Sequence, residues 1–228
     1  MLDTYLSAQH FSGPGLTFVY TAERERPENQ WSTMVTHEAN FSSVNDKADS
    51  NSEAEGAYNF YWGKFYRWQL LDNHLTLQAG LQGMVSLGFI YNSSNTNNPV
   101  QVRAHINIMP AAVAKYRFRL WRKTMVARYE ASVPLCGAML VPDYGQSYFE
   151  MYGQDTNERN MVFTTPFNAP EWRQMVTIDA ELSGSITLRL GYLGNYQQYD
   201  VNNLKQHVYT NRAMIGLTKR FRIEKLRM

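Results

Sequence analysis

The sequence has very few of the features that would give it a simple class. It contains one cysteine, Cys136, so it cannot form an internal disulfide. Its most apolar stretch, residues 131–142, already includes Ser132 and two prolines, and it falls short of the roughly 18 apolar residues that a membrane helix needs. The formal net charge is only +2, which favours no polyanionic partner such as a nucleic acid. We therefore expect neither transmembrane helices nor nucleic-acid binding.

Local motifs for metals, nucleotides and export are also missing. There is no His/Cys cluster, no HExxH pattern and no Gly-rich phosphate loop, so we expect no metal, no cofactor and no catalytic set of known spacing. Residues 2–11, LDTYLSAQHF, have neither the basic segment nor the apolar core of a signal peptide. If the protein is exported, we expect this chain to be its mature form.

A long alternation of apolar and polar residues is the dominant positive signal. In residues 74–92, the odd positions carry Leu77, Leu81 and Val85, whereas the even positions carry Gln78 and other polar or small residues. A period of two predicts a β-strand. Strands usually run for about five or six residues, so this one is unusually long.

The same alternation returns along the whole chain. It predicts strands at residues 16–23, 31–41, 57–70, 100–120, 124–137, 172–182, 186–196 and 208–223, with a further candidate before residue 12. Short turns alternate with longer polar connections at residues 42–56, 92–99, 140–170 and 200–206. Tight turns at one end and long loops at the other are typical of an outer-membrane barrel.

These patterns predict one all-β domain over residues 1–228, a transmembrane antiparallel up-and-down β-barrel of about ten strands (range eight to twelve). A tilted strand needs about 9 to 11 residues to cross the hydrocarbon layer, so longer strands would continue into water. Aromatic residues make up 14% of the chain, and tyrosine and tryptophan suit surfaces that are apolar on one side and in contact with water on the other. A soluble sandwich or a lipocalin-like barrel is the alternative, although strands in such folds are usually shorter.

Several local motifs resemble a known family. An uncharacterised Bacteroidota (Bacteroidales) family of outer-membrane β-barrels, catalogued as a domain of unknown function, is similar to four parts of the chain. They are the stretches FYWGKFYRWQL, GFIYNSSNTNNPV and VPDYGQSYFEMYG and residues 187–221. The resemblance covers nearly the whole chain. It implies a barrel fold and an outer-membrane location, and it implies no catalytic residue.

The polar faces of the predicted strands point into the presumed lumen and carry many charges. A ten-stranded barrel is narrow inside, so these charges must pair or hold water. We expect a network that seals the lumen; an arginine-lined path for small anions is the alternative. The candidates for this network are Glu23, Glu38, Arg67, Arg103, His105, Lys115, Arg117, Arg128, Glu130, Asp179, Glu181, Arg189 and Arg212.

Two further hypotheses concern an enzyme and an external loop. A hydrolase acting on lipid or peptide would need a base such as His105 oriented by Glu130, with Ser132 nearby, and we do not favour it.

The predicted loop at residues 140–170 is long enough to fold on itself or to bind a partner. Its aromatic residues, expected to form a plug or a docking surface, are Tyr144, Tyr148, Phe149, Tyr152, Phe163 and Phe167.

Taken together, the sequence predicts a bacterial outer-membrane barrel with a structural or accessory role in an envelope assembly. Its expected partners are outer-membrane lipid and lipopolysaccharide, with another outer-membrane protein or a surface lipoprotein as a further candidate. A narrow passive pore and an outer-membrane hydrolase are the alternatives.

Overall fold

The computed structural model describes residues 1–26, 29–96, 99–121, 123–143, 146, 160–183 and 185–221. The elements of this part are β1 Leu2–Asp3, β2 Phe11–Ser12, β3 Gly15–Glu25, β4 Trp31–Asp46, β5 Ser52–Leu70, β6 Leu75–Asn92, β7 Val100–Leu120, β8 Lys123–Ser132, β9 Cys136–Leu140, β10 Met161–Thr164, β11 Glu171–Glu181, β12 Ile186–Val201 and β13 Leu204–Lys219. In the same ranges, no helix is long and apolar enough to cross a membrane.

The thirteen strands occupy ten positions around a nearly closed barrel. Three of the ten positions are each shared by two strands. β2 and β3 share one, because both pair with β4, and β8 and β9 share another, because both pair with β7. β10 and β11 share the third, because they pair with β9 and β8 respectively. From β3, the sheet continues through β4, β5, β6, β7, β8, β11 and β12 to β13 and then β1. Every ladder is antiparallel, so the predicted all-β antiparallel barrel of about ten strands is confirmed.

The two ends of the barrel differ, although less than the sequence predicts. Short connections at one end, here called the lower end, join β3 to β4, β5 to β6, β7 to β8 and β11 to β12. At the other end, the upper rim, the predicted long loop at residues 200–206 is wrong. β12 and β13 are joined there by Asn202 and Asn203 alone, with φ of 51° and 58°. Asparagine tolerates this left-handed conformation, and two such residues make a tight hairpin turn.

The predicted loop at residues 42–56 is also mostly strand. β4 continues to Asp46 and β5 begins at Ser52, which leaves only residues 47–51 between them. The polar composition of these strand ends predicts a loop. The ladder instead extends beyond the apolar part of the strands, and polar residues pair there as well as apolar ones do.

The barrel is apolar outside and polar inside. On β6, Leu81 and Leu87 are exposed on the outer surface, whereas Gln78, Gln82 and Ser86 are buried inside. The predicted faces of this strand are therefore confirmed. Small apolar clusters lie between the inward polar groups, for example Met34, Phe65, Ala111 and Val113.

The predicted external loop at residues 140–170 contains a short hairpin. β10 pairs with β9, which places Phe163 on a strand with its side chain exposed. Phe167 lies in the following turn and is 96% exposed, so neither residue packs down as a plug. The other four aromatic residues predicted for this loop, Tyr144, Tyr148, Phe149 and Tyr152, lie outside the described residues.

Candidate functional site

A continuous set of ion pairs crosses the middle of the lumen. Lys115 Nζ lies 2.6 Å from Glu23 Oε1, and Arg128 Nη1 lies 3.1 Å from Glu23 Oε2. Arg128 Nη2 also lies 2.9 Å from Glu130 Oε2. Glu23 is on β3, whereas Lys115 and Arg128 are on β7 and β8, so these contacts join walls that are far apart in the ring.

Arg173 continues this set of contacts to another wall. Its Nη1 lies 2.9 Å from Glu130 Oε1 and its Nη2 lies 3.1 Å from Glu38 Oε2. The side chains of Arg173 and Glu38 are 2% and 1% exposed. Strand β11 is thereby tied to β4 across the lumen, because Arg173 belongs to the first and Glu38 to the second.

The network also reaches the lower end of the barrel. Lys115 Nζ lies 3.3 Å from Glu25 Oε1, and Arg67 Nη1 lies 2.6 Å from Glu25 Oε2, with the Glu25 side chain 45% exposed. We call the whole set the central network; its members are Glu23, Glu25, Glu38, Arg67, Lys115, Arg128, Glu130 and Arg173. Its four cations balance its four carboxylates, so it carries no net charge.

Neutral polar groups satisfy further atoms of the central network. Gln78 Nε2 donates to Glu23 Oε1 at 2.8 Å, and Asn40 Nδ2 donates to Glu38 Oε1 at 3.1 Å. The guanidinium carbon of Arg173 lies 4.9 Å from the centre of the Tyr61 ring. Buried charges are tolerated when they are paired and hydrogen-bonded in this way.

A second group of polar residues lies just below the upper rim. Arg103 Nη2 lies 2.7 Å from Glu55 Oε1, and Arg103 Nη1 donates to Gln206 Oε1 at 3.1 Å. Gln206 also donates to the carboxylate of Asp3, and Asn92 donates to Glu53 Oε1 at 2.9 Å. We call Asp3, Glu53, Glu55, Arg103 and Gln206 the rim cluster. The rim cluster contains one arginine and three carboxyl groups.

Two carboxyl groups of the rim cluster, those of Asp3 and Glu53, hold protons more tightly than usual. Burial raises the pKa of Asp3 to about 6, although its hydrogen bond from Gln206 acts in the opposite direction. Burial, together with the negative charge of Asp3, raises the pKa of Glu53 to about 7. Both residues therefore change charge near neutral pH.

The other residues predicted for the network lie apart from it. Arg189 donates to Asp179 through two bonds of 2.7 and 2.6 Å, which makes an isolated pair on neighbouring strands. Arg117 is exposed and Glu181 is half-buried, and neither forms an ion pair with a described residue. Arg212 donates to the hydroxyl groups of Thr17 and Ser42.

His105 does not meet the groups that a hydrolase would need. It lies opposite Met139, whereas Glu130 lies opposite Val113, eight residues further along β7. At the rise of a strand, this is a separation of roughly 26 Å. The ring nitrogens of His105 are buried and have no hydrogen-bond partner within the described ranges.

Sequence reasoning missed six members of these two groups, namely Glu25 and Arg173 of the central network and Asp3, Glu53, Glu55 and Gln206 of the rim cluster. Arg173 shares the inward face of its strand with Thr177 and Asp179, so alternation alone could have identified it. Glu25 has the same parity as Glu23 but lies beyond the predicted end of its strand. Glu53, Glu55 and Gln206 lie at residues 42–56 and 200–206, for which the sequence predicts loops.

The described part of the chain contains no group of three or more His, Cys, Asp or Glu side chains arranged to hold a metal ion. The fold and the lumen define an all-β, barrel-forming protein with a charged interior. The chain belongs to the family described as "Protein of unknown function (DUF3316)", which it matches over residues 1–227. Comparison with curated proteins and with solved structures gives no match.

Proposed function

We propose that this protein is a β-barrel of the bacterial outer membrane, with a sealed lumen and a structural or accessory role in an envelope assembly. The observation that carries the proposal is the distribution of side chains, because most large apolar side chains face outward and the ion-paired charges face inward, although Lys64 is exposed on the outer surface. Soluble monomers rarely expose contiguous apolar patches larger than a few hundred Å². A lipid environment accounts for the outer surface, and ion pairing accounts for the inner one.

The outer surface is apolar along the length of the barrel. Aliphatic residues such as Leu81, Ile106 and Ile178 are exposed in its middle, together with the aromatic residues Tyr20 and Trp62. Further aromatic residues lie towards both ends, as expected for side chains at the two interfaces of a bilayer. Examples are Trp31, Trp68 and Tyr116 towards the lower end and Phe89, Tyr91, Trp172 and Tyr209 towards the upper rim.

The contents of the lumen support a sealed barrel better than a pore. The contacts of Arg173 with Glu38 and Glu130 cross the interior, and these side chains have almost no access to solvent. An open passage would need hydrated charges lining its wall. A barrel without a passage fits a role as a membrane platform for lipopolysaccharide, for another outer-membrane protein or for a surface lipoprotein.

A matched pair of substitutions tests the membrane location. Leu81→Arg places a charge in the middle of the outer surface and should cost on the order of 2 to 4 kcal/mol in a bilayer. Leu71→Arg makes the same change in the lower turn, where Leu71 is exposed outside the strands, and should have little effect. Folding yield into lipid vesicles, followed by heat-modifiable migration on gels, measures both variants. Folded, monodisperse wild-type protein in detergent-free buffer would contradict the proposal.

A further inference from the structure

The ring of strands has one seam. β3 and β13 are described along their whole lengths, and no ladder joins them. They meet through side chains instead, since Arg212 Nε lies 3.3 Å from Thr17 Oγ1 and Arg212 Nη2 lies 3.0 Å from Ser42 Oγ. The edges of β3 and β13 therefore lack the backbone partners that the full-length strands between them have on both sides.

The directions of the strands show what the seam lacks. Nine strand positions run the length of the barrel from β3 to β13, and neighbours alternate in direction, so β3 and β13 both run from the upper rim to the lower end. Closing them directly would create a parallel pair in an otherwise antiparallel barrel. One strand running upward would be antiparallel to both edges.

The top of such a strand is already present. In β1, Leu2 lies opposite His207 and Asp3 lies opposite Gln206, so β1 runs upward along the β13 edge. On its other side, Phe11 N donates to Met1 O at 2.8 Å and Met1 N donates to Phe11 O at 2.6 Å. β1 therefore fills the seam at the upper rim and bridges β13 to β2. Below Met1, no described residue forms a ladder with the free edge of β3 or of β13.

Side chains along the seam agree with a missing neighbour. On the outer surface of β13, Ile215 and Leu217 are 81% and 74% exposed, whereas Ile178 and Leu190 on fully paired strands are each 50% exposed. On the inner surface, an added Cβ at Gly216 would meet nothing within 4 Å. Arg212, on the same inner face, contacts hydroxyl groups and has no carboxylate partner among the described residues.

We propose that the seam is the docking site of a tenth full-length strand, supplied in cis by polypeptide joined to the amino side of Met1 in a longer form of this protein. Such polypeptide would continue β1 downward, with its first residue before Met1 opposite Tyr209 and its fourth opposite Arg212. Only another strand satisfies two rows of backbone N–H and C=O groups, which an acyl chain cannot do. Unpaired backbone groups are most costly in lipid, so the energetic part of this argument rests on the proposed membrane location. The part that uses the strand directions is independent of it.

The pattern of the missing strand follows from β13. Residues directly opposite each other in an antiparallel pair face the same side. Odd positions counted back from Met1 therefore face outward and should be apolar, and even positions face the lumen and should be small or polar. An acidic residue at the fourth position would meet Arg212.

A designed extension tests the proposal. The probe is an eleven-residue strand, the length of β3, fused before Met1 with leucine, valine or tyrosine at odd positions, threonine or serine at even positions and aspartate at the fourth. The control has the same composition with the alternation shifted by one residue, which turns every side chain to the wrong face. Hydrogen exchange of the β3 backbone in detergent and the melting temperature are measured for both proteins and for the unextended chain.

The proposal predicts that the probe slows exchange along β3 and raises the melting temperature by about 4 °C or more, while the shifted control does neither. Two results would overturn it. If the β3 amides that point away from β4 are already protected in the unextended protein, the seam closes directly. If the same peptide added as a separate molecule protects β3 as well as the fused one, the occupant is a second chain. Failure of the membrane location would appear separately, as folding in detergent-free buffer.

Discussion

The central network and the rim cluster use the same kinds of side chain in different proportions. In the network, each carboxylate meets a cation, and four positive groups balance four negative ones. In the rim cluster, Arg103 meets Glu55, while Asp3 and Glu53 are held by neutral amides. The comparison shows that burial alone does not make a charge network stable against changes in pH. Balance within the network removes the need to bind protons, whereas the surplus of acid at the rim creates that need.

Removal of Arg173 should have the largest effect, because it leaves Glu38 buried without a cation. Breaking a buried ion pair in this way costs about 3 to 5 kcal/mol. We expect Arg173→Met to lower the melting temperature in detergent strongly. Arg117→Met is the matched control, since Arg117 is exposed and outside the network, and it should change the melting temperature little. Equal effects of the two variants would show that the network does not hold the barrel together.

The same substitution in the two regions should have opposite consequences. Glu130→Gln removes one hydrogen-bonded partner from both Arg128 and Arg173, which keep Glu23 and Glu38, and should cost about 1.5 to 3 kcal/mol. Glu53→Gln at pH 8 removes a carboxylate whose charged form the fold disfavours, so stability should stay the same or rise. Chemical unfolding in detergent at pH 8 compares them. A destabilised Glu53→Gln variant would mean that the rim needs this charge.

The pH dependence of the rim should be the smallest of these effects. The pKa of Asp3 is raised from 3.8 to about 6 in the folded protein, so its contribution to stability is complete below pH 4 and is lost as the pH rises through 6. A shift of this size corresponds to roughly 1 to 3 kcal/mol. The melting temperature should therefore fall between pH 5 and pH 8 by more in the wild type than in Asp3→Asn. An equal fall in both proteins would remove Asp3 from this account.

Much of the fold was predictable from the sequence, because alternation with period two is a local signal. The faces of β6 and of β7 follow directly from residue parity, and so do most inward charges. Strand ends were less predictable, since polar residues at 42–46 and 52–56 pair in a ladder above the apolar surface. Glu55 was not identified as a residue of the lumen for this reason, because the predicted strand begins at residue 57 whereas β5 begins at Ser52.

The connections within the lumen were not predictable. Alternation shows that Glu38 and Arg173 both face inward, but it does not show that β4 and β11 lie opposite each other at the same height. That relation depends on the register of every ladder between them, and the registers of β6 with β7 and of β8 with β11 are not fixed by a tight turn. The separation of His105 from Glu130, by contrast, was predictable, because the tight turn after Leu120 fixes the register of β7 against β8 and places Glu130 opposite Val113.

Ion conductance across a planar lipid bilayer tests the sealed lumen most directly. With the central network intact, the wild-type barrel should insert into the bilayer without forming steady, voltage-independent channels. Arg173→Met, inserted at the same density, shows whether a passage opens when the network is broken. Stable single-channel steps in the wild type, with a preference for anions that changes in Arg128→Gln, would show a hydrated path lined by arginines. That result would contradict the account of the lumen as a sealed, charge-balanced interior.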